Sequence, residues 1–176
     1  MSYLTTWLIS LGLGFTSVHT DVGKYPASLP LFTIDSNVKA LFGRQYFSVG
    51  FKHYTGAIHQ AEWAQPVFGS ERLSLRNSII SAQTGGRFLQ LKKYGDVFAG
   101  IGLSYNQSMG LGLNGSFSIA YPSSLSRPNI QYSLKVDFNY WGSDLMDGVV
   151  NAQDVVGDYE SSLIFGIQIP IRQRNS

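Results

Sequence analysis

Ile130, Tyr132, Leu134, Val136, Phe138 and Tyr140 alternate with Gln131, Ser133, Lys135, Asp137 and Asn139. Successive side chains point to opposite faces only in an extended strand, so this segment reads as a strand with one apolar and one polar side. The pattern recurs along the chain. Trp7, Ile9, Leu11, Leu13 and Phe15 oppose Ser10, Gly12, Gly14 and Thr16, and Phe47, Val49 and Phe51 oppose Ser48, Gly50 and Lys52. Val97, Ala99, Ile101, Leu103 and Tyr105 form another apolar row, as do Leu111, Leu113, Phe117, Ile119 and Tyr121. A chain built this way folds as a β-sheet closed on itself, and the open question is which row faces out.

In a water-soluble barrel the polar rows form the outer wall and are crowded with Lys, Glu and Asp. Here charged residues make up only 14% of the chain, against roughly 25% in an average soluble domain. The polar rows are mostly Gly, Ser, Asn and Gln, which suit a narrow hydrogen-bonded lumen. The apolar rows are long and end in Tyr or Trp, as lipid-facing strands with aromatic girdles do. The sequence therefore predicts an all-β fold, an eight-stranded antiparallel up-and-down transmembrane barrel occupying residues 1–176 as one domain. A soluble lipid-binding barrel is the alternative if the apolar rows point inward.

Turn signals place the strands at about 3–18, 35–43, 45–57, 72–92, 96–106, 110–121, 129–142 and 159–172, with Thr84-Gly85-Gly86 as a bulge or turn in the fourth. Long connections at 19–34, 58–71 and 143–158 alternate with short ones, which puts both termini at the short-turn, periplasmic end. The first segment, LTTWLISLGLGF, reads as a strand and not as a signal peptide, because it alternates and no Lys or Arg precedes Lys24; no export signal is visible. The lumen-facing Lys39, Lys52, Lys135 and Asp137 are expected to neutralise one another, and an eight-stranded lumen is filled by side chains, so no open pore is expected.

Several function classes fall away. With no Cys there is neither a disulfide nor a thiolate site, and His19, His53 and His59 show no metal-ligand spacing, so neither a metal nor another cofactor is expected. A net charge of +2 from interspersed signs provides no nucleic-acid footprint. The acidic run 143–158, with Asp144, Asp147, Asp154 and Asp158, reads as a solvated external loop.

The stretch SVGFKHYTGA breaks the pattern. His53 and Thr55 continue the apolar row of Phe47, Val49 and Phe51 and so stand on a lipid-facing row beside an external loop. His53-Tyr54-Thr55-Gly56-Ala57 resembles the H-x-S-N-A motif of the PagL-type outer-membrane lipid A 3-O-deacylases, with Thr for Ser and Gly for Asn, and YESSLIFGIQIPI is similar to that family's terminal strand. The resemblance covers about thirty residues in two pieces. It implies an acyl-ester hydrolase in which His53 is the general base, Thr55 the nucleophile and Glu160 the orienting acid, acting on lipopolysaccharide or another envelope lipid. The strand count sets His53 on strand three and Glu160 on strand eight, which are not neighbours, so Glu62 or Glu71 is the alternative acid. The other reading of His53 and Thr55 is that they are interfacial residues of a girdle. The leading expectation is accordingly a small non-porin outer-membrane barrel acting through its external loops and membrane lipids, in adhesion, envelope integrity or exclusion, with the hydrolase as the alternative.

Overall fold

A computed structural model describes residues 4–19, 27–40, 44–59, 62, 72–91, 95–106, 110–122, 130–141 and 159–175. Within these lie eight strands, β1 (Leu4–His19), β2 (Ala27–Ala40), β3 (Gln45–His59), β4 (Arg72–Gln90), β5 (Asp96–Asn106), β6 (Gly110–Pro122), β7 (Gln131–Tyr140) and β8 (Tyr159–Asn175). Each pairs antiparallel with its neighbour in sequence, and β1 pairs with β8, so the sheet closes. Both ends of the chain enter the wall at the same end of the barrel, the one reached by the short links between β2 and β3 and between β4 and β5.

The start of β2 and the form of β4 differ from the sequence expectation. β2 begins at Ala27 and not near residue 35, because Pro30 does not interrupt it. Pro30 pairs with Phe15 of β1, while pairing with β3 starts only at Leu31, opposite Tyr54. It thus occupies a stretch bonded on one side alone, where a missing N–H is tolerated. In β4, Thr84-Gly85-Gly86 is neither bulge nor turn but regular strand; the irregularity lies between Arg87 and Leu89. Gly85 and, across the β4–β5 pair, Gly100 make room for Tyr46. A Cβ at Gly100 would run into the Tyr46 hydroxyl, and one at Gly85 would come within 2.7 Å of its ring. Tyr46 therefore lies inside the barrel, with its hydroxyl 3.4 Å from Ser116 Oγ.

The predicted facing holds. Leu13, Ile101 and Leu111 are each at least 70% exposed, and Phe117, Phe138 and Phe165 are more than 40% exposed on the outside of the same wall. The buried interior is largely polar and includes Ser10, Thr33, Ser48, Gln83, Asn114, Asn139 and Ser162. Such a molecule cannot keep its apolar rows in water, at about 25 cal/mol per Å² of exposed apolar surface, and needs a hydrocarbon surround. No described helix is long and apolar enough to cross a membrane; the crossing is made by strands.

Candidate functional site

The lumen is closed by a charged lattice. Lys52 projects from β3 toward β7 and β8, on the opposite side of the ring, where its Nζ donates to Asp137 Oδ2 at 2.9 Å and to Ser162 Oγ at 3.2 Å and forms an ion pair with Glu160. Asp137 Oδ1 accepts from Gln83 at 3.2 Å and Asn114 at 3.1 Å and lies 3.6 Å from Lys135 Nζ. Asn139 donates to Glu160 at 2.8 Å and accepts from Asn114 at 2.8 Å. Buried charge is tolerated because each of Lys52, Lys135, Asp137 and Glu160 has an opposite charge beside it, although Glu160 Oε2 and Asn114 Oδ1 have no hydrogen-bond partner among the described residues. Toward the external end the lattice continues through Asn106, Asn77 and the Tyr54 hydroxyl, and Trp141 is fully buried beside it.

Below the lattice, toward the short turns, lies a polar chamber of about 40 Å³ lined by Thr33, Asp35, Asn37, Tyr46, Ser118 and Lys135 among others. That is space for a few water molecules and for no larger solute. Lys39 spans the chamber's lower end, with Nζ 3.4 Å from both Gln131 Oε1 and Gln168 Oε1 and 4.6 Å above the Phe98 ring. The expected neutralisation holds for Lys52, Lys135 and Asp137, whereas Lys39 is held by amides and an aromatic face.

The structure does not assemble the three predicted catalytic residues. Glu160 points into the lumen and is spent on Lys52 and Asn139, while His53 and Thr55 face outward, so the barrel wall separates the acid from the imidazole it was expected to orient. Glu62, the first alternative acid, is exposed beyond the end of β3, and Glu71 lies outside the described residues. The His53 imidazole instead meets a hydroxyl that sequence reasoning missed. Its Nδ1 is 2.9 Å from Ser78 Oγ, directly opposite on β4, and its ring lies against Phe51 and Phe32 at centroid distances of 6.4 and 5.6 Å. Ser78 is 25 residues away in sequence, and only the β3–β4 register brings it to His53. A second outward histidine, His19, stacks on Tyr159 at 4.1 Å and bonds its hydroxyl at 2.8 Å. Among the described residues no group of His, Asp and Glu could hold a metal ion.

No family model and no curated protein matches the sequence. Solved structures do resemble the fold over nearly its whole length. Ail, the attachment invasion locus protein of Yersinia pestis, solved in complex with the heparin analogue sucrose octasulfate, covers 97% of this chain with 100% of its own at 12% identity and a TM-score of 0.55. Neisserial surface protein A covers 93% of this chain with 96% of its own at 13% identity and a TM-score of 0.54. A de novo designed transmembrane β-barrel covers 94% with 95% of its own at 11% identity and a TM-score of 0.52. The chain is a transmembrane β-barrel of the outer-membrane type. At these identities the likeness is one of fold, and it carries neither the PagL-type motif nor a site with it.

In an outer-membrane barrel the height at which a strand changes polarity marks where it leaves hydrocarbon. On β1 to β4 that change is abrupt. Beyond Phe15, Phe51 and Ile80 the outward side chains, apart from Pro30 and Ala57, are Ser17, His19, Ser28, His53, Thr55, His59, Arg72, Ser74, Arg76 and Ser78, while the buried inward ones gain the apolar Val18, Leu29, Leu31 and Ile79 beside Thr16 and Asn77. Among the described residues, 55–59 of β3 have no β2 partner and 72–78 of β4 no β5 partner, and there the two strands pair with each other as a ribbon. Five residues of β3 reach about 16 Å at roughly 3.3 Å each. Leu29 packs where a Cβ on Gly56 would stand, which ties the ribbon's inner face to β2.

Proposed function

We propose that this barrel is a non-porin surface protein of a Gram-negative-type outer membrane, working through its external loops and the lipid around its external end. The observation that carries this reading is the lattice of Lys52, Asp137 and Glu160, which fills the lumen and leaves the outside of the molecule to do the work. Adhesion, envelope integrity and exclusion of other agents are the activities open to such a surface. Ail was solved with a polyanion, but the 142–158 segment of this chain carries four Asp and no base, so the loops suit a neutral or cationic partner better than a sulfated one. The test is to express the chain in Gram-negative cells, beside a version with 142–158 replaced by a short Gly-Ser turn. Gain of adhesion to cell monolayers, detergent resistance or phage exclusion with the full chain, lost with the replacement, supports the reading. No gained property, or a steady porin-sized conductance in planar bilayers, rejects it.

The contact between His53 and Ser78 favours a second reading, acyl-ester hydrolysis at the membrane surface. His53 is the general base and Ser78, in place of Thr55, the nucleophile: its hydroxyl proton passes to the imidazole as its oxygen adds to the ester carbonyl. The acyl group stays on Ser78 as the alcohol leaves with a proton, until water releases it. A lipid A mass spectrum from cells expressing the chain, against Ser78→Ala, Thr55→Ala and His53→Ala, tests it. Loss of an acyl chain that survives Thr55→Ala and disappears with the other two supports this pair; an unchanged spectrum with the parent removes lipid A as substrate.

A further inference from the structure

Every outward-facing charged side chain among the described strand residues of the wall's upper end is a cation, and both are on β4: Arg72 and Arg76. The carboxylates of the described strands, Asp35, Asp96, Asp137 and Glu160, belong to the interior or to the opposite end. Arg72 has a contact of its own, so Arg76 is the group that matters here. It stands opposite Thr55, with His53 on the diagonal and Ser74 and Ser78 on either side along β4. All are on the outer face, and together they present a guanidinium, an imidazole and hydroxyls on one patch of about two strand widths.

The patch begins where the hydrocarbon belt ends. Phe51 and Ile80, paired with each other, lie one step below His53 and Ser78 on the same two strands, and Phe32 flanks them. A ligand that satisfies both parts is an amphiphile, with an anionic, hydrogen-bond-accepting head against Arg76 and acyl chains along Phe51 and Ile80. Guanidinium matches phosphate in charge and in its paired N–H geometry, and hydroxyls supply further donors. A soluble anion would use the upper part and gain nothing from the lower. We infer that the outer face of the β3–β4 ribbon is a binding site for the phosphate-bearing headgroup of an outer-leaflet lipid, centred on Arg76. This rests on the membrane reading above, since it needs the ribbon to stand at the level of the headgroups.

The test uses the full chain in nanodiscs containing a fluorescent phosphorylated glycolipid, lipid A with its phosphates, or the same glycolipid dephosphorylated. Folding is checked first by the heat-dependent shift in gel mobility, so that a chain that fails to insert counts against the membrane reading and not against the site. The expected result is preferential retention of the phosphorylated form, weakened about fivefold by Arg76→Gln, the factor for one cation near an anionic surface. Arg76→Lys retains most of it, and Arg44→Gln, an exposed arginine at the far end of the barrel, changes nothing. Equal retention of the two glycolipids by an inserted barrel, or equal loss from Arg76→Gln and Arg44→Gln, overturns the site. Release of the glycolipid by millimolar inorganic phosphate overturns its assignment to a lipid.

Discussion

β3 and β7 are built on the same alternation and end differently. On β7 the outward row, Tyr132, Leu134, Val136, Phe138 and Tyr140, is apolar throughout, and the inward row remains polar up to Asn139. On β3 the outward row begins the same way with Phe47, Val49 and Phe51, then turns to His53, Thr55 and His59, while the inward row passes from Ser48 and Lys52 to Tyr54. The difference follows the pairing. Tyr140, at the end of β7, still has Leu113 on one side and Tyr159 on the other, whereas β3 loses β2 after Tyr54. On β7, paired on both sides to its end, the outside stays apolar; on β3 the change begins at His53, the last outward residue paired on both sides, and beyond it the outside meets headgroups and water. The period of two fixes which residues share a face, and the closure of the sheet decides what that face touches.

The largest effect expected from this comparison lies at the last polar inward residue of β3. Lys52→Met leaves Glu160 and Asp137 buried with one ammonium fewer between them, and should cost about 3–5 kcal/mol. Adding Glu160→Leu should recover most of that, because the unpaired charge goes with it. Urea unfolding of the refolded barrel, followed by tryptophan fluorescence, measures both; equal losses in single and double variants would show that Lys52 and Glu160 are not coupled and that something else closes the lumen.

Next in size is the contrast on the outside. Ile101→Lys, midway along β5, places an ammonium in hydrocarbon at about 2–4 kcal/mol, whereas Thr55→Lys on the ribbon should cost about 0–1 kcal/mol. Similar losses at the two positions, measured as folding free energy in lipid vesicles, would put the ribbon inside the bilayer and end the distinction between β3 and β7.

Much of this was legible in the alternation. Strand number, facing and the closed lumen follow from Trp7 to Phe15, Val97 to Tyr105 and Ile130 to Tyr140, since a two-residue period with few charges leaves little else to build. The first eight residues of β2 read in the sequence as part of the 19–34 connection, since whether a strand runs through Pro30 depends on which neighbours it has at that height. Glu160 was visible as an acid and invisible as a lumen residue tied to Lys52, as its partners come from two other strands. Ser78 could not be found from the His53 side at all. It lies across a hairpin whose register the intervening loop sequence does not dictate.

Inside the rim a smaller effect tests the apolar half of the inversion. Ile79 is fully buried on β4, between the charged lattice and the ribbon. Ile79→Val should cost about 0.5–1.5 kcal/mol, as a methylene lost from a packed core does. A loss indistinguishable from zero in the same urea titration would mean that the inward apolar cluster at the external end is loosely packed.

The smallest stability change is expected where the chemistry is most open. Ser78→Ala removes an exposed hydroxyl from His53 and should shift folding by no more than about 0.5 kcal/mol, as most surface substitutions do. A loss above about 1 kcal/mol would make the His53–Ser78 contact part of what holds the β3–β4 ribbon on the wall, and would assign it a structural role. With stability unchanged, the acyl pattern of the surrounding lipid carries the decision. If it differs between Ser78→Ala and the parent, the first polar pair above the belt is a reactive one; if it does not, β3 differs from β7 in what it touches and not in what it does.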